Sequence, residues 1–255
     1  MDSVKTLVFL PGAWYKSSCW NGVRAEIGRR SKYAWSTTMD YPNYNGEERK
    51  EAITLQTYVG HVAEKISKLP GKPIVVGHSM SGIVLSQLAE QHPDKIEAIV
   101  YVSAFLLRDG ESIWEFIGKR KNGKVGAVKT LEEIEAGQGL KFPVLRIDRA
   151  TVRERFCNGC EYVSHYNFYD FTPFTPIRTK LKIGKGFESV PKYYIKCTQD
   201  KAISLEEQEA MVSNFSLSGI REMETGHSPF LTHAGHLADY LLEIANIPVP
   251  LETID

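Results

Sequence analysis

The sequence predicts an α/β fold in which a doubly wound, mostly parallel sheet of about six strands carries an inserted cap subdomain. The first observation is that short apolar runs alternate with amphipathic stretches along the chain. The second is that the strand-like runs are apolar at successive positions, which is typical of parallel strands buried on both faces. The third is that this alternation stops after residue 104 and resumes near residue 188.

The apolar runs predict strands at 5–10, 34–39, 73–77, 97–104, 191–197 and 219–224. The amphipathic stretches predict helices at 18–29, 54–69, 80–91, 204–215 and 232–245. Because crossovers between parallel strands are right-handed, these elements give an open sheet with helices on both faces. Residues 1–106 and 188–255 form the predicted core. Residues 107–187 form the predicted cap, since about 80 residues is too long for a plain loop in a compact domain.

Composition excludes several function classes. The chain has 255 residues with 31 acidic and 31 basic side chains, so no net charge attracts it to nucleic acid or to an anionic membrane. Its first apolar run, LVFL, is too short for a secretory signal, and no run approaches the length of a membrane span. We therefore expect a soluble, cytoplasmic protein with a small-molecule partner, and we leave open whether it forms a homodimer.

Two cysteines lie close together in a C-N-G-C stretch, at Cys157 and Cys160. This spacing fits a redox pair or half of a metal site. A zinc site needs two further ligands, however, and the sequence has no second C-x-x-C and only His165 nearby. We interpret the pair as two reduced thiols, and we expect neither a metal nor an organic cofactor.

A nucleophile is predicted in the stretch IVVGHSMSG, residues 74–82. This stretch is close to the G-x-S-x-G elbow, in which a serine sits on a sharp turn from a strand into a helix. Ser79 directly follows the predicted strand, and a helical pattern begins one residue later. Its hydroxyl should therefore be exposed at the C-terminal edge of the sheet, where open α/β sheets bind ligands. The alternative is a serine that only caps the helix.

Ser81 replaces the last glycine of the elbow pattern. It falls in the first helical turn and should point away from the sheet edge, so Ser79 is the predicted nucleophile. A small residue is needed here because the strand and the helix pass close together. Serine meets that need if its backbone is helical, so we predict an ordinary helical φ at Ser81 and strain confined to Ser79.

A serine nucleophile needs a base and an acid that orients the base. His227 is the best candidate base, since it lies in the loop between the last strand and the last helix, at the same sheet edge. His78 neighbours Ser79 on a tight turn, which usually points two side chains apart. Asp200 is the predicted acid because it lies just past a strand and fits the chain order serine, acid, histidine. Asp109, after the preceding strand, is the rival.

Two backbone amides should form an oxyanion hole beside the nucleophile. One belongs to Met80, the residue after the predicted nucleophile, and the other belongs to Ala13, in the loop after the first strand. Gly12 lets that loop bend close to the bound substrate.

Aromatic residues crowd the C-terminal part of the predicted cap. The predicted pocket residues are Trp14, Phe156, Tyr166, Phe168 and Phe171. The alternative is that the cap aromatics only pack the cap onto the sheet. An apolar pocket with few polar anchors suits a small to medium apolar or aromatic ester, or a lactone.

Three stretches carry a family resemblance: LVFLPGAW, VVGHSMSG, and the run from VPKYYIKCTQDKAIS through ETGHSPFLTHAGHLADYLLEIA. The sequence resembles the plant esterase and hydroxynitrile lyase branch of the α/β-hydrolases, with its methyl salicylate and methyl jasmonate esterases and bacterial relatives. The resemblance covers the sheet and is weak across the cap. It implies the α/β-hydrolase fold and hydrolysis of a carboxylic ester through an acyl-enzyme. It also implies a triad of Ser79, His227 and Asp200, with the amides of Ala13 and Met80 as the oxyanion hole.

The chain departs from this branch at two sites. Pro11 stands where the branch usually has histidine, and Ser81 stands where it usually has glycine. The hydroxynitrile lyases of the branch carry a lysine beside the catalytic histidine and a glutamate before the serine. Here Ser228 follows His227, and His78 precedes the elbow serine, which favours ester hydrolysis over cyanohydrin cleavage. The open alternatives are a lactonase or C–C bond hydrolase on the same triad, a hydroxynitrile lyase, and a hydrolase-fold ligand-binding protein.

Overall fold

The computed structural model describes residues 4–43, 52–119, 132–134, 142–158, 168–169 and 171–247, with the backbone alone at 132–134. The strands in chain order are β1 (Lys5–Leu10), β2 (Ala34–Thr38), β3 (Ile74–Ser79), β4 (Ala98–Ala104), β5 (Glu132–Ile134), β6 (Val144–Arg146), β7 (Phe171–Pro173), β8 (Lys192–Cys197) and β9 (Gly219–Met223). Six of them form one parallel sheet in the order β2-β1-β3-β4-β8-β9.

This sheet confirms the predicted doubly wound architecture. β3 and β4 are buried at every residue, as expected for central strands covered on both faces, whereas the edge strand β2 is half-buried along most of its length. The strand order reverses between β1 and β3, which pair with each other. The loops that leave β1 and β3 therefore meet at the switch point of the sheet, where α/β folds bind ligands.

The helices are α1 (Asn21–Arg30), α2 (Leu55–Ile66), α3 (Ser81–Gln91), α4 (Ile113–Gly118), α5 (Arg149–Thr151), α6 (Thr175–Arg178), α7 (Lys185–Ser189), α8 (Leu205–Val212), α9 (Pro229–Thr232) and α10 (Ala234–Ile244). Helices α1, α9 and α10 pack against one another. In a second group, α3 packs against both α2 and α7. The predicted helix 232–245 was wrong at its start. The backbone at His233, with φ −135° and ψ 42°, interrupts the helix and separates α9 from α10.

Two helices begin as their sequences indicate. The Thr54 side chain accepts the Thr57 amide while the Thr57 side chain accepts the Thr54 amide, and Ser204 and Glu207 make the same reciprocal pair at the start of α8. Such capping boxes satisfy amides that a helix start leaves unpaired. Because Ser204 caps α8, Asp200 is not needed for that purpose.

Residues within the predicted cap interval form a second, antiparallel sheet in the order β5-β6-β7. The segments that leave and rejoin the main sheet are bonded to each other, since the Gly110 amide donates to the Leu181 carbonyl and the Leu181 amide donates to the Glu111 carbonyl. The boundaries 107 and 187 stay a prediction. Among the helices of the described residues, none combines the length and the apolar character that crossing a bilayer requires.

Candidate active site

Ser79 is the last residue of β3, and the chain turns there directly into α3. Its φ is +53°, in the left-handed region, and Met80 returns to helical angles before α3 begins at Ser81. The pairing of β3 with β4 shifts register between His78 and Ser79, which marks the same bend. A non-glycine residue at positive φ is strained and persists where the surrounding structure holds it. The elbow therefore presents Ser79 at the C-terminal edge of the sheet.

His227 lies in the loop between β9 and α9, and its side chain is fully buried. Its Nε2 is 3.0 Å from the Ser79 Oγ, and its Nδ1 is 2.6 Å from the Asp200 Oδ2. Since a carboxylate only accepts, Nδ1 carries the proton and Nε2 is free to accept the serine proton. The structure thus brings the three predicted residues into one chain of hydrogen bonds.

Asp200 follows β8 in a tight turn that holds its carboxylate from several sides. Its Oδ1 accepts the amides of Ala202 at 2.6 Å and Ile203 at 2.8 Å, and its Oδ2 accepts the hydroxyl of Ser103 as well as the imidazole. The rival Asp109 lies elsewhere, where its carboxylate accepts the Ile183 amide at 2.9 Å.

The loop after β1 packs closely on the elbow. A Cβ placed on Gly12 would lie 2.7 Å from the His78 Nδ1 and 3.0 Å from the Ser79 Cβ, so only glycine fits this approach. Ala13 and Met80 both line the cavity in which Ser79 and His227 lie. This placement suits the predicted oxyanion role of their amides, which stays a prediction.

Ser81 has an ordinary backbone, and its side chain points away from the cavity. It begins α3 and is absent from the residues with positive φ. Its hydroxyl donates to the Pro11 carbonyl and pairs with the Tyr41 hydroxyl at 2.6 Å. The strand and the helix pass close together as expected, since a Cβ added to Gly77 would lie 3.0 Å from the Ser81 Cβ. Gly82 makes a further close approach, because an added Cβ there would lie 2.2 Å from the Phe105 carbonyl oxygen.

The expectation that strain is confined to Ser79 was wrong for the wider site. Trp14 has φ +64° and Ser103 has φ +40°. Both residues flank the site, Trp14 in the loop after β1 and Ser103 near the end of β4. The sequence gives no signal for either, because neither residue type favours this conformation.

A cavity, partly open to solvent, extends from Ser79 and His227 between the sheet and the cap interval. Apart from these two, its lining consists of Ala13, Trp14, Met80, Phe105, Ile113, Trp114, Ile117, Leu145, Ile147, Phe156, Ile177, Ala202 and Ile203. The Trp14 Nε1 is already bonded to the Leu145 carbonyl at 2.9 Å. The described lining is therefore apolar except at the serine, the histidine and the Trp114 indole nitrogen.

A family model described as an alpha/beta hydrolase family matches residues 7–238. This chain belongs to that family. Among curated relatives, a pyrethroid hydrolase from Sphingobium wenxiniae is 24% identical over 255 residues, which cover 96% of this chain and 89% of that protein. Methylesterase 1 from Arabidopsis thaliana is 27% identical over 211 residues, which cover 76% of this chain and 77% of that protein.

Solved structures give the same fold. A pyrethroid hydrolase from Sphingobium faniae matches with a TM-score of 0.83 at 20% identity, covering 96% of this chain and 99% of that chain. A methylesterase from Arabidopsis matches with a TM-score of 0.78 at 21% identity, covering 95% of this chain and 99% of that chain. The α/β-hydrolase fold implied by the sequence resemblance is confirmed.

Some pocket residues predicted for this α/β-hydrolase lie elsewhere. Trp14 and Phe156 line the cavity, but Phe168 packs its ring 4.4 Å from that of Tyr15, and Phe171 belongs to β7 outside the lining. Phe168 belongs to a segment that bridges to Tyr15 in the loop after β1, and Phe171 pairs with β6. Tyr166 lies outside the described residues.

The cysteine pair gains no role from the structure of this α/β-hydrolase. Cys157 is buried next to Phe156, and Cys160 and His165 lie outside the described residues. The interpretation as two reduced thiols stays a prediction.

His78 is the site residue that sequence reasoning missed in this α/β-hydrolase. Its side chain was expected only to point away from that of Ser79, and the sequence did not indicate that its ring lies against that of His227, with the ring centroids 4.4 Å apart. Burial lowers the pKa of His78 well below its usual value, and the nearby His227 adds to this shift. His78 is therefore neutral.

Proposed function

We propose that this chain is a serine hydrolase that cleaves a small to medium apolar or aromatic carboxylic ester through an acyl-enzyme. The observation that carries the proposal is the hydrogen-bond chain from Ser79 through His227 to Asp200, which ends at the wall of an apolar cavity. A serine hydroxyl needs an adjacent base to become nucleophilic, and that base needs an orienting acid.

In the first half of the reaction, His227 Nε2 takes the proton of Ser79 as its oxygen attacks the ester carbonyl carbon. The carbonyl oxygen becomes an anion, for which the amides of Ala13 and Met80 are the proposed donors. Asp200 stabilises the imidazolium across the 2.6 Å contact without taking its proton. His227 then protonates the leaving alcohol oxygen, and the acyl group stays on Ser79.

In the second half, a water molecule takes the place of the alcohol. His227 removes a proton from this water, whose oxygen attacks the acyl carbon, and then returns the proton to Ser79 as the acid departs. Both halves use one base and one oxyanion site, and no step calls for a metal or an organic cofactor.

The cap is the second part of this proposal. Residues 107–187 are proposed to act as a cap that closes the cavity above the sheet edge. In support, Leu145 and Phe156 of this interval line the cavity, the Leu145 carbonyl accepts the Trp14 indole proton, and the Tyr169 amide donates to the Trp14 carbonyl at 2.6 Å. The cap is thereby bonded to the residue that follows Ala13.

The ester assignment draws support from the relatives. Those reported above are called a pyrethroid hydrolase and a methylesterase; both names denote hydrolysis, and the second denotes hydrolysis of an ester. The described cavity lining contains no lysine, and the Ser228 hydroxyl beside His227 is paired with the Tyr15 hydroxyl. Nothing in this lining resembles the lysine that the hydroxynitrile lyases of the branch carry beside their histidine.

Covalent labelling with a fluorophosphonate probe tests the assignment. We expect mass spectrometry to find the label on Ser79, and we expect Ser79→Ala to lose both the label and p-nitrophenyl ester hydrolysis, by about 10⁶-fold in kcat, with an unchanged circular dichroism spectrum. A label on Ser81, or hydrolysis retained by Ser79→Ala, would overturn the proposal.

A substrate panel separates the remaining alternatives. Lactones, C–C bond substrates and mandelonitrile are compared with apolar esters on the same preparation, and we expect the esters to have the highest kcat/KM. A tightly bound ligand without turnover would instead indicate a binding protein. The cytoplasmic location stays a prediction, which fractionation would test, and size-exclusion chromatography would show whether the chain forms a homodimer.

A further inference from the structure

Ser103 lies at the C-terminal end of β4, fully buried, and its hydroxyl donates to Asp200. It bonds to Oδ2, the same carboxylate oxygen that accepts the His227 Nδ1 proton at 2.6 Å. One oxygen atom therefore serves two donors, one from the base and one from a residue with no assigned role.

The order of the strands in the sheet explains why Ser103 lies next to Asp200. β4 lies between β3, which ends at the nucleophile, and β8, which is followed by the acid. The chain bends sharply at Ser103, where φ is +40°, and the Phe105 amide donates to the Ser79 carbonyl at 3.0 Å just beyond it. Glycine would adopt this backbone without strain, so the serine contributes something that glycine lacks. The hydroxyl is the group that distinguishes it.

The Asp200 carboxylate depends on hydrogen bonds for its stabilisation. Four donors reach it within the described part of the chain: the amides of Ala202 and Ile203 on Oδ1, and His227 and Ser103 on Oδ2. Two of these donors are backbone amides fixed by the turn, and a third is the base. Ser103 is thus the donor that a side-chain change can remove without touching the base.

The other titratable groups that face Asp200 and His227 are uncharged, so none of them stabilises the carboxylate charge in place of the Ser103 hydroxyl. They are His78, Tyr15, Tyr194 and Cys197, with Cys157 against Tyr15. Burial lowers the pKa of His78 and raises the pKa of both tyrosines and of the Cys197 thiol. The charged neighbours along the chain, Lys201 and Glu224, are exposed.

We propose that Ser103 is a positioning residue for the proposed triad: its hydroxyl fixes Oδ2 of Asp200 and sets how strongly the carboxylate holds the protonated His227. This inference rests on the proposed function. Without the Ser103 donor, the carboxylate charge is less stabilised and binds the imidazolium more tightly. His227 then stays protonated, and unable to act as a base, up to a higher pH.

The test is the pH profile of kcat/KM for a p-nitrophenyl ester in Ser103→Ala and Ser103→Gly. Both variants lack the hydroxyl, but Gly also relieves the backbone strain. We expect the acid limb of the profile to move upward by roughly half a unit to one unit in both variants, because hydrogen bonds to charged groups are strong. We also expect the low-field proton resonance of the His227 Nδ1–H to shift in both.

The matched control is Ser86→Ala, which removes another buried hydroxyl, one that is bonded to Tyr101 at 2.8 Å and lies outside the cavity lining. It should leave the acid limb in place. If Ser103→Ala fails to fold, Ser103→Gly still tests the inference, because glycine adopts this backbone without strain. An unmoved acid limb and an unmoved resonance in a folded Ser103 variant would overturn the inference while Ser79→Ala stays inactive. Activity in Ser79→Ala would overturn the proposed function instead.

Discussion

The Nε2 of His78 donates to the backbone carbonyl of His227 at 2.8 Å, so the residue before the nucleophile holds the main chain of the base. The donor role follows from chemistry, because a carbonyl oxygen only accepts, and it places the lone pair on the Nδ1 of His78. That Nδ1 is buried without a hydrogen-bond partner among the described residues and faces Gly12. Protonation of His78 would put a second proton where the described part of the chain offers no acceptor.

This arrangement predicts a pH-dependent stability. The pKa of His78 is lowered in the folded protein, so its contribution to stability is complete above the unfolded value of about 6.5 and is lost as pH falls below it. In that window the unfolded chain binds a proton that the native protein does not. We expect His78→Gln, which keeps a donor for the His227 carbonyl, to remove about 1.4 kcal/mol per pH unit from the slope of unfolding free energy against pH.

Urea unfolding at about pH 5.5 and about pH 4.5, both below the unfolded pKa of about 6.5, measures this slope. The exposed His236 provides the matched control, and His236→Gln is expected to leave the steep slope of the parent protein in place. Equal slopes for His78→Gln and the parent protein would contradict a neutral, buried His78.

Most of the sheet and the triad could be predicted because they depend on short-range signals. Ser79 ends a strand, Asp200 and His227 follow strands within a few residues, and parallel strands end at a common edge. His78 and Ser103 could not be predicted in the same way. Their roles depend on contacts across 149 and 97 residues and, for Ser103, on a positive φ that serine does not signal.

The pocket was predicted less well for a different reason. Its walls come from α4, β6 and α6, which have six, three and four residues. Elements this short carry too few positions for a periodic pattern, so nothing in the sequence marks their inward-facing side chains. The aromatic composition around Phe168 predicted pocket residues there, but Phe168 packs on Tyr15 outside the cavity lining.

Gly12 provides a test of the loop after β1, which we propose to be an oxyanion loop. We expect Gly12→Ala to lower kcat by about 10²–10³-fold, the usual effect of losing one oxyanion donor, because the new Cβ would lie 2.7 Å from the His78 Nδ1 and must displace the loop that carries Ala13. Gly28→Ala is the matched control, since an added Cβ there meets nothing within 4 Å and lies inside α1.

Steady-state kinetics and urea unfolding are measured on both glycine variants. Gly28→Ala should keep full activity and gain about 0.5–1 kcal/mol of stability from helix propensity. Unchanged kcat in Gly12→Ala would show that the close contact with His78 does not control the oxyanion loop.

Ser81 offers the opposite test, in which restoring the family's glycine should harm the protein. Ser81→Gly removes the hydroxyl that bonds the Pro11 carbonyl and the Tyr41 hydroxyl, both buried. We expect a loss of about 1–3 kcal/mol in the free energy of unfolding, because buried polar groups lose their partner. Urea unfolding of Ser81→Gly, Tyr41→Phe and the double variant forms a cycle that should be non-additive. Additive effects, or a more stable Ser81→Gly, would contradict this role.

The apolar cavity predicts discrimination against charged acyl groups. A carboxylate that enters it would lose its hydration and find no cationic side chain in the described lining. We expect kcat/KM for p-nitrophenyl hemisuccinate to be at least roughly 100-fold below that for p-nitrophenyl butyrate, since the two esters share a leaving group and differ in charge.

A lysine at position 117 should weaken this preference, because Ile117 lines the cavity and is only half-buried on α4, so a longer cationic side chain fits there without being fully buried. Ile117→Lys should narrow the gap between the two esters by raising kcat/KM for the hemisuccinate. Ile117→Met keeps the volume without the charge and should leave the gap unchanged. Similar kcat/KM values for both esters in the parent protein would mean that the acyl group does not occupy the cavity beside Ser79.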